Sequence, residues 1–372
     1  MNLNRSIDEL LTHNPFDINY NQKKEKLINI IKLQIEHHLK NCNSYKNWYY
    51  SNSFLSPDKI RDYKDIPFFP SSAFKYGELV SVKENTKLIN SSGTTSSMKS
   101  KIIIDKQTSI NQRKSLSKIL TSILGKNRKP FFVVDIKPQT SLSNNYSINA
   151  RNAGMQGYLL AAKSTKYLLK QNKEKIELDE NILSEFINES NNTPVILIGY
   201  TYMLWKYFVD NKSIQLNKLD LNNKTKIIHF GGWKKLSKYK LEKDMFVKIL
   251  KQKLNIPSDS IFDIYGFTEQ LGTIFPAKGF GGCKVNSYSH LIVRDVNTLE
   301  QVQDGKNGFL QFISPLPISY PGFSLLNDDM GHISKREMKN NGSENLKFKV
   351  LARLEKAVSR GCGDTLPESF YI

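Results

Sequence analysis

Cysteine is scarce: Cys42, Cys283 and Cys362 are the three in 372 residues, none shares a CxxC spacing with another, and their odd number does not close into a disulfide framework. That excludes a disulfide-stapled scaffold and a cysteine zinc site, and the expected compartment is reducing. Long apolar runs are missing as well. The opening MNLNRSIDELLTHNPFDINY lacks the apolar stretch of a signal peptide, and nothing approaches the roughly 18 apolar residues of a membrane span. A cytoplasmic protein with no integral membrane segment is expected. Acidic residues are few, 35 against 54 Lys and Arg, for a formal charge of +19. The basic residues are spread along the chain and are mostly lysine, so the charge reads as a solvated surface that steers anionic substrates or an acidic partner, and nucleic acid is not expected. There is no GxxxxGK[ST] P-loop, no Rossmann fingerprint, no internal repeat and no low-complexity linker.

What the chain has is apolar material, 39% hydrophobic and 11% aromatic, enough for one large α/β domain or two moderate ones. Over 22–40 the residues Leu27, Ile28, Ile31, Ile35 and Leu39 recur at three and four, which predicts an amphipathic helix packed on the main body. Pro67 and Pro70 in IPFFPSSAFKYGEL favour an extended, ordered loop. Short β-branched or aromatic runs follow in PFFVVDI, TPVILIGY, TKIIHFGG and SIFDIYG, and helical spacing occupies 109–124 and 241–254. That alternation predicts parallel strands with helical crossovers. HLIVRDV and GFLQFIS, separated by a glycine-containing turn, predict an antiparallel portion appended to the α/β core.

Two stretches carry chemistry. Ser91, Ser92, Gly93, Thr94, Thr95, Ser96 and Ser97 set six hydroxyls around a glycine, with Lys99 just beyond. Such a turn can wrap donors and backbone amides around phosphate oxygens while the lysine supplies a point charge, or it is simply a polar surface loop. IFDIYGFTEQLG places Tyr265, Gly266, Thr268 and Glu269 directly after an apolar strand, and ligands of α/β sheets bind at the carboxyl ends of strands. There Tyr265 can stack on a flat base, Thr268 donate to phosphate and Glu269 hold Mg²⁺ through oxygen, or Tyr265 is a core aromatic and Glu269 a helix-start carboxylate.

Taken together these stretches resemble the phosphate loop and YGxTE motif of the adenylate-forming enzymes. Within that superfamily IPFFPSSAFK, SSGTTSSMKS, HFGGWKK, YGFTEQ and RGCGDTLPESF resemble the acyl-protein synthetases, over approximately residues 60–370. The resemblance implies that Ser91 through Thr95 and Lys99 hold the ATP phosphates, that Gly231 and Gly232 admit the adenine, and that Tyr265 and Gly266 border that ring. It implies Thr268 on phosphate, Glu269 on magnesium, and Asp329 of SLLNDDMGHIS on the ribose hydroxyls, with Asp328 as the alternative. Arg353 of LARLEK corresponds to a ribose-contacting arginine. The usual Gly-Asp pair is Asn327-Asp328-Asp329 here, a departure from the superfamily's pattern.

Nineteen residues follow Arg353, and the expectation is that the superfamily's full C-terminal domain is absent. The expected organisation is a helical segment over 1–58, an adenylation core over 59–350, and a short arm over 351–372 carrying Cys362. An acyl-adenylate is a mixed anhydride that a thiolate can attack, and a thiol with a reference pKa of about 8.5 is accessible near neutrality. Gly361 and Gly363 lend the arm backbone freedom, and Arg360 favours the ionised sulfur. The resemblance implies that Cys362 accepts the acyl group, that a fatty acid is the default substrate with ATP and Mg²⁺, and that a separate NADPH-dependent acyl reductase receives the thioester. Cys42 and Cys283 are expected to be structural. An acyl-CoA ligase using free coenzyme A and a nucleotide-binding scaffold for the reductase are the other readings. NYSINARNAGMQGYLL and ILIGYTYMLWKYF line an acyl tunnel or belong to the core.

Overall fold

The computed structural model of the chain describes residues 2–84, 86–90, 99–138, 147–172, 175–210, 221, 224–231 and 242–353. Three helices lead, α1 (Leu3–Leu10), α2 (Tyr20–Asn41) and α3 (Asn43–Ser51), followed by β1 (Phe69–Pro70), β2 (Lys87–Asn90) and β3 (Lys101–Ile104). Helix and strand then alternate through α4 (Lys106–Leu124), β4 (Lys129–Ile136), β5 (Ser147–Asn149), α5 (Ala150–Leu159), β6 (Ala162–Asn172), β7 (Lys175–Leu178) and α6 (Glu180–Asn192). The alternation continues with β8 (Ile196–Tyr200), α7 (Thr201–Leu204), β9 (Lys226–Phe230), α8 (Lys243–Leu254) and β10 (Ile261–Tyr265). Strands follow: β11 (Phe275–Lys278), β12 (Cys283–Lys284), β13 (His290–Arg294), β14 (Gly308–Ile313), β15 (Ser324–Met338) and β16 (Glu344–Arg353).

The large sheet runs β11-β10-β9-β8-β4-β6-β7, its five central strands parallel and its two edges antiparallel. Burial on both faces explains the unbroken apolar runs: β4 sends Phe131 and Val133 into a core shared with α4, and Phe132 and Val134 into one shared with α6 and α8. The smaller sheet is antiparallel, β12-β16-β15-β14-β13, with β1 added parallel to β15. The expected meander is its β13–β14 pair, in register from His290↔Ile313 to Arg294↔Phe309. A third sheet, β3-β2-β5, flanks the hydroxyl-rich segment. No described helix is long and apolar enough to cross a membrane.

Between β14 and β15 the chain passes through 314–323, SPLPISYPGF, buried throughout. Its three prolines carry no N–H, and its buried carbonyls and remaining amides need partners. Two helices provide them. Gln34 of α2 donates from Nε2 to the carbonyls of Pro315 and Pro317 at 2.6 and 2.7 Å. From α4, Thr108 Oγ1 accepts from the amides of Ile318 and Ser319 at 3.1 and 3.0 Å, and Asn111 donates to Leu316 O at 3.4 Å.

These polar duties hide the start of α4 from apolar periodicity. The spacing predicts 109–124, yet the helix begins at Lys106, because Asp105 caps it by accepting from the Thr108 amide at 2.7 Å. The IPFFPSSAFK segment also departs from expectation: Phe69–Pro70 is extended, but Ser71–Lys75 closes into a 3₁₀ turn that buries Ala73 and Phe74. Burial of two apolar side chains outweighs the extended preference that the prolines impose on their neighbours.

Helix α2 buries Lys23 alongside its isoleucine stripe, 5% exposed. Burial pushes the Lys23 ammonium from its ordinary 10.5 down to about 8, against a smaller opposing pull from Glu344. The folded state therefore gives up this proton more easily than the unfolded chain, so the penalty is full below pH 8 and fades as pH rises toward 10.5. Lys23→Met is expected to raise stability below pH 8 by on the order of 1–3 kcal/mol, and to remove that share of the rise between pH 8 and 10.5. Chemical denaturation of both proteins across that range checks it; parallel curves would show that Lys23 titrates normally.

Candidate active site

Strands β9 and β10 end together. Ile264 lies opposite Phe230, so Gly231 and Tyr265 emerge side by side at the carboxyl edge of the large sheet. Gly231 has φ +55° and an added Cβ would come no nearer than 3.8 Å to the Tyr200 ring, so conformation rather than crowding calls for glycine.

Tyr265 joins that edge to the smaller sheet. Its hydroxyl donates to Asp329 Oδ2 at 2.6 Å and accepts from Asn327 Nδ2 at 2.9 Å. The half-buried ring stacks on Phe312 at 5.5 Å and meets Phe348 edge-on. Asn327 is itself held, accepting on Oδ1 from Ser71 Oγ at 3.4 Å and from the Asp328 amide at 2.8 Å. Arg353 sits opposite Asp329 across β15 and β16. Four separate sequence segments thus meet around one phenol: one face of the ring packs as a core aromatic, and its hydroxyl pairs with Asp329.

After the exposed Gly266, the residues Thr268–Gln270 form a 3₁₀ turn. Thr268 and Glu269 are half-buried, while Gln270 is fully buried and donates to Phe312 O at 3.1 Å and Gly322 O at 2.8 Å. Tyr320 Oη donates to Glu269 O at 3.0 Å. Gly272 follows at φ +83°, where a Cβ would lie 2.5 Å from Gln112 Cα, so α4 packs directly on the turn. The backbone carrying Thr268 and Glu269 is thereby fixed from both sides.

Lys99 is exposed just ahead of β3. Ser91, Ser92, Gly93, Thr94, Thr95, Gly232 and Cys362 lie outside the described residues; the strands flanking 91–98 pair with Asn90 opposite Lys101. Among the described residues no group of three His, Cys, Asp or Glu is arranged to hold a metal ion. Cys42 and Cys283 are buried, and burial pushes the Cys283 thiol up to about 12 and raises that of Cys42, so neither is a nucleophile at neutral pH. Of the stretches read as tunnel or core, Met203, Leu204, Tyr207, Phe208 and Tyr158 are core, and Tyr158 with the half-buried Tyr200 flanks Phe230 at 4.8 Å each.

Sequence reasoning missed Ser71, Asn327 and Gln270, and a pair behind them, Lys243 and Asp263, joined at 2.7 Å. The unusual asparagine before Asp328-Asp329 was the one visible signal, since the motif departs there from its usual Gly-Asp.

Replacing the shared hydroxyl tests the junction. Tyr265→Phe leaves Asn327 Nδ2 and Asp329 Oδ2 without this partner and is expected to cost on the order of 1–3 kcal/mol. Urea unfolding measures it; an unchanged midpoint would mean that water replaces both bonds without loss.

The profile of the family described as acyl-protein synthetase, LuxE, matches residues 2–371. A long-chain-fatty-acid–luciferin-component ligase of Aliivibrio fischeri is 26% identical over 368 residues, covering 96% of this chain and 92% of its own. The protein of the same description from Vibrio harveyi is 25% identical, covering 98% and 93%. Among solved structures, an open conformation of 2-hydroxyisobutyryl-CoA ligase in complex with 2-HIB-AMP and CoA superposes with TM-score 0.62 at 12% identity, over 93% of this chain and 78% of that one. At that identity the likeness speaks for the fold, which is that of adenylate-forming ligases. With the family profile running almost end to end, the chain belongs to the LuxE acyl-protein synthetase family.

Proposed function

We propose that the chain activates a fatty acid with ATP and Mg²⁺ to an acyl-adenylate, then passes the acyl group to Cys362 for delivery to an NADPH-dependent acyl reductase. One observation carries the nucleotide part: Tyr265 and Gly231 border the same strand edge, and the tyrosine hydroxyl is bonded to the half-buried carboxylate of Asp329. A flat half-exposed ring, a glycine and a carboxylate acceptor suit a base and its ribose hydroxyls. The names of the relatives supply the fatty acid, and the family's description as acyl-protein synthetase supports a protein acceptor.

In the first step a carboxylate oxygen attacks the α-phosphorus, the bond to pyrophosphate breaks, and acyl-AMP forms. Two anions must approach each other, so positive charge and positioning are the main requirements. Ser91 to Thr95 and Lys99 are the proposed phosphate ligands, with Thr268 on a phosphate oxygen and Glu269 on magnesium. Gly232, Gly266 and Arg353 complete the proposed nucleotide contacts. In the second step the Cys362 thiolate attacks the acyl carbonyl, the carbon–oxygen bond to AMP breaks, and a thioester remains. Sulfur suits the step because a thiol is partly ionised near neutrality. Residues 351–372 are the proposed carrier of that thiol, on the core formed by 59–350 with the helices of 1–58 against it.

Cys362→Ser is expected to keep acid-dependent exchange of pyrophosphate into ATP while losing hydroxylamine-sensitive acyl labelling. Labelling at the wild-type level would remove this cysteine from the reaction, and acyl-CoA formed equally well by the mutant would point to coenzyme A as acceptor. Glu269→Gln should slow magnesium-dependent exchange by roughly tenfold or more, since a direct metal oxygen loses its charge. An unaltered exchange rate and magnesium dependence would relieve Glu269 of that role.

A further inference from the structure

The outer strands of the smaller sheet set lysines side by side. Lys284 of β12 lies opposite Lys347 of β16, and Lys347 lies opposite Lys335 of β15, so three neighbouring strands carry one row of ammonium groups. Opposed side chains on adjacent strands stand about 5 Å apart and share a face. The next row, Cys283, Phe348 and Ile333, is core, so the lysines lie on the other face. Lys349, two positions along β16, extends that face, and Lys339 lies in the turn between β15 and β16. Lys335 and Lys349 are exposed, Lys284 and Lys347 half-buried.

Few carboxylates answer this charge. Lys335 pairs with Glu337 at 2.8 Å and Lys339 with Asp17 at 3.1 Å. Lys347 and Lys349 form no hydrogen bond or ion pair among the described residues, and Lys284 rests on the Phe16 ring at 4.2 Å. Burial, and behind it the ammoniums of Lys339 and Lys347, push Lys284 from its ordinary 10.5 down to about 8, against a pull from Asp17. Like charges directly opposite each other weaken a sheet. A lysine on the edge strand β12 is explained by keeping other strands away, but β16 and β15 are interior strands and need no such guard. The row is a cost to the fold that an anionic partner offsets.

A second copy of the chain is a poor match, since 54 basic residues stand against 35 acidic ones. The position of the row favours a protein that takes part in the chemistry. Lys347 stands six residues, about 20 Å of strand, from the end of β16 at Arg353. The nine residues from there to Cys362 span at most about 30 Å. Between the row and that end Leu351 is 52% exposed, an apolar anchor that suits a protein surface better than a phosphate backbone. We propose that the face carrying Lys284, Lys347, Lys335 and Lys349 docks an acidic surface of the protein that receives the acyl group. The proposal rests on the reading that a separate reductase takes the thioester, and adds where and by what chemistry that reductase is held.

Charge reversal in the full chain is the test, read against the purified acyl reductase, a short DNA duplex and phosphatidylglycerol vesicles. Lys347→Glu combined with Lys349→Glu should leave acid-dependent pyrophosphate exchange and self-acylation unchanged. Association with the reductase should slow by about tenfold or more and lose much of its salt dependence. Lys347→Glu alone should raise the urea midpoint, because repulsion from Lys284 and Lys335 becomes attraction. A gain in stability joined to a loss of binding is not what a structural lysine gives. Should the double variant fail to fold, Lys347→Gln with Lys349→Gln carries the same test at smaller amplitude. An unmoved association rate, or a midpoint that falls along with it, overturns the proposal while delivery to the reductase stands. So does tighter, variant-sensitive binding of the duplex or the vesicles, which assigns the row to nucleic acid or membrane. Wild-type protein that acylates itself yet neither binds the reductase nor passes on its label overturns the delivery reading as well.

Discussion

The phenolic hydroxyl of Tyr265 is a point at which directional bonds fix two sheets that share a core. It closes the carboxyl edge of the parallel sheet and takes hydrogen bonds with two side chains of β15, Asn327 and Asp329. The sheets share buried apolar surface, one core taking Phe230 and Ile264 from the larger with Ile313 and Leu325 from the smaller, but burial has no direction and does not set their placement to within a hydrogen bond. A bond to a carboxylate is short and directional, and it does what burial cannot. Ser71 extends the line by holding Asn327, which explains why a motif near residue 70 belongs to a site built mostly after residue 230.

Behind that junction the proline-rich loop 314–323 distributes the load. It is clasped by Gln34 and Thr108 from two helices, and Ser319 Oγ donates to Ile103 O of β3 at 2.9 Å. The next residue, Tyr320, donates to the backbone of Glu269. Two consecutive loop residues therefore couple the strand just beyond Lys99 to the turn that carries Glu269. Buried hydrogen-bonded groups are costly to disrupt, so this network fixes spacing as well as stability. For phosphoryl chemistry, where positioning is most of the catalytic work, such fixed spacing is the useful property.

The architecture was largely legible in the sequence because apolar periodicity reports burial, and strands buried on both faces read as continuous runs. TPVILIGY and SIFDIYG show this in β8 and β10. The polar clasp was not legible. Thr108, Asn111 and Gln34 are residue types that usually face water, and only their partners, some 200 to 280 positions away, reveal them as interior. Lys243 and Asp263 failed for a related reason: a lysine on a helix start reads as a solvated charge until the strand aspartate is set beside it. The placement of Tyr265 and Gly231 was legible because their motifs mark strand ends, whereas the meeting of Tyr265 with Asp329, inside β15, was not. The hydroxyl loop and Cys362 lie outside the described residues, and for them the motifs alone speak.

The charges at this edge constrain how the proposed chemistry can run. Overall the chain is strongly positive, +19, which draws a nucleotide and a carboxylate toward it. The strand edge itself is different: Asp263, Asp328, Asp329 and Glu269 all lie on or next to β10 and β15, against Lys243 among the described side chains there. A polyphosphate brought to such an edge would meet carboxylates of its own sign at short range, where their repulsion exceeds what distant surface lysines offset through screening solvent. Local cations would be required, and those proposed are Lys99 and a divalent ion carried by the phosphates. Carboxylates near that ion then change sign in their effect, from repelling phosphate to holding the metal that binds it. On this argument the acidic edge would make the proposed nucleotide binding depend on magnesium rather than prevent it.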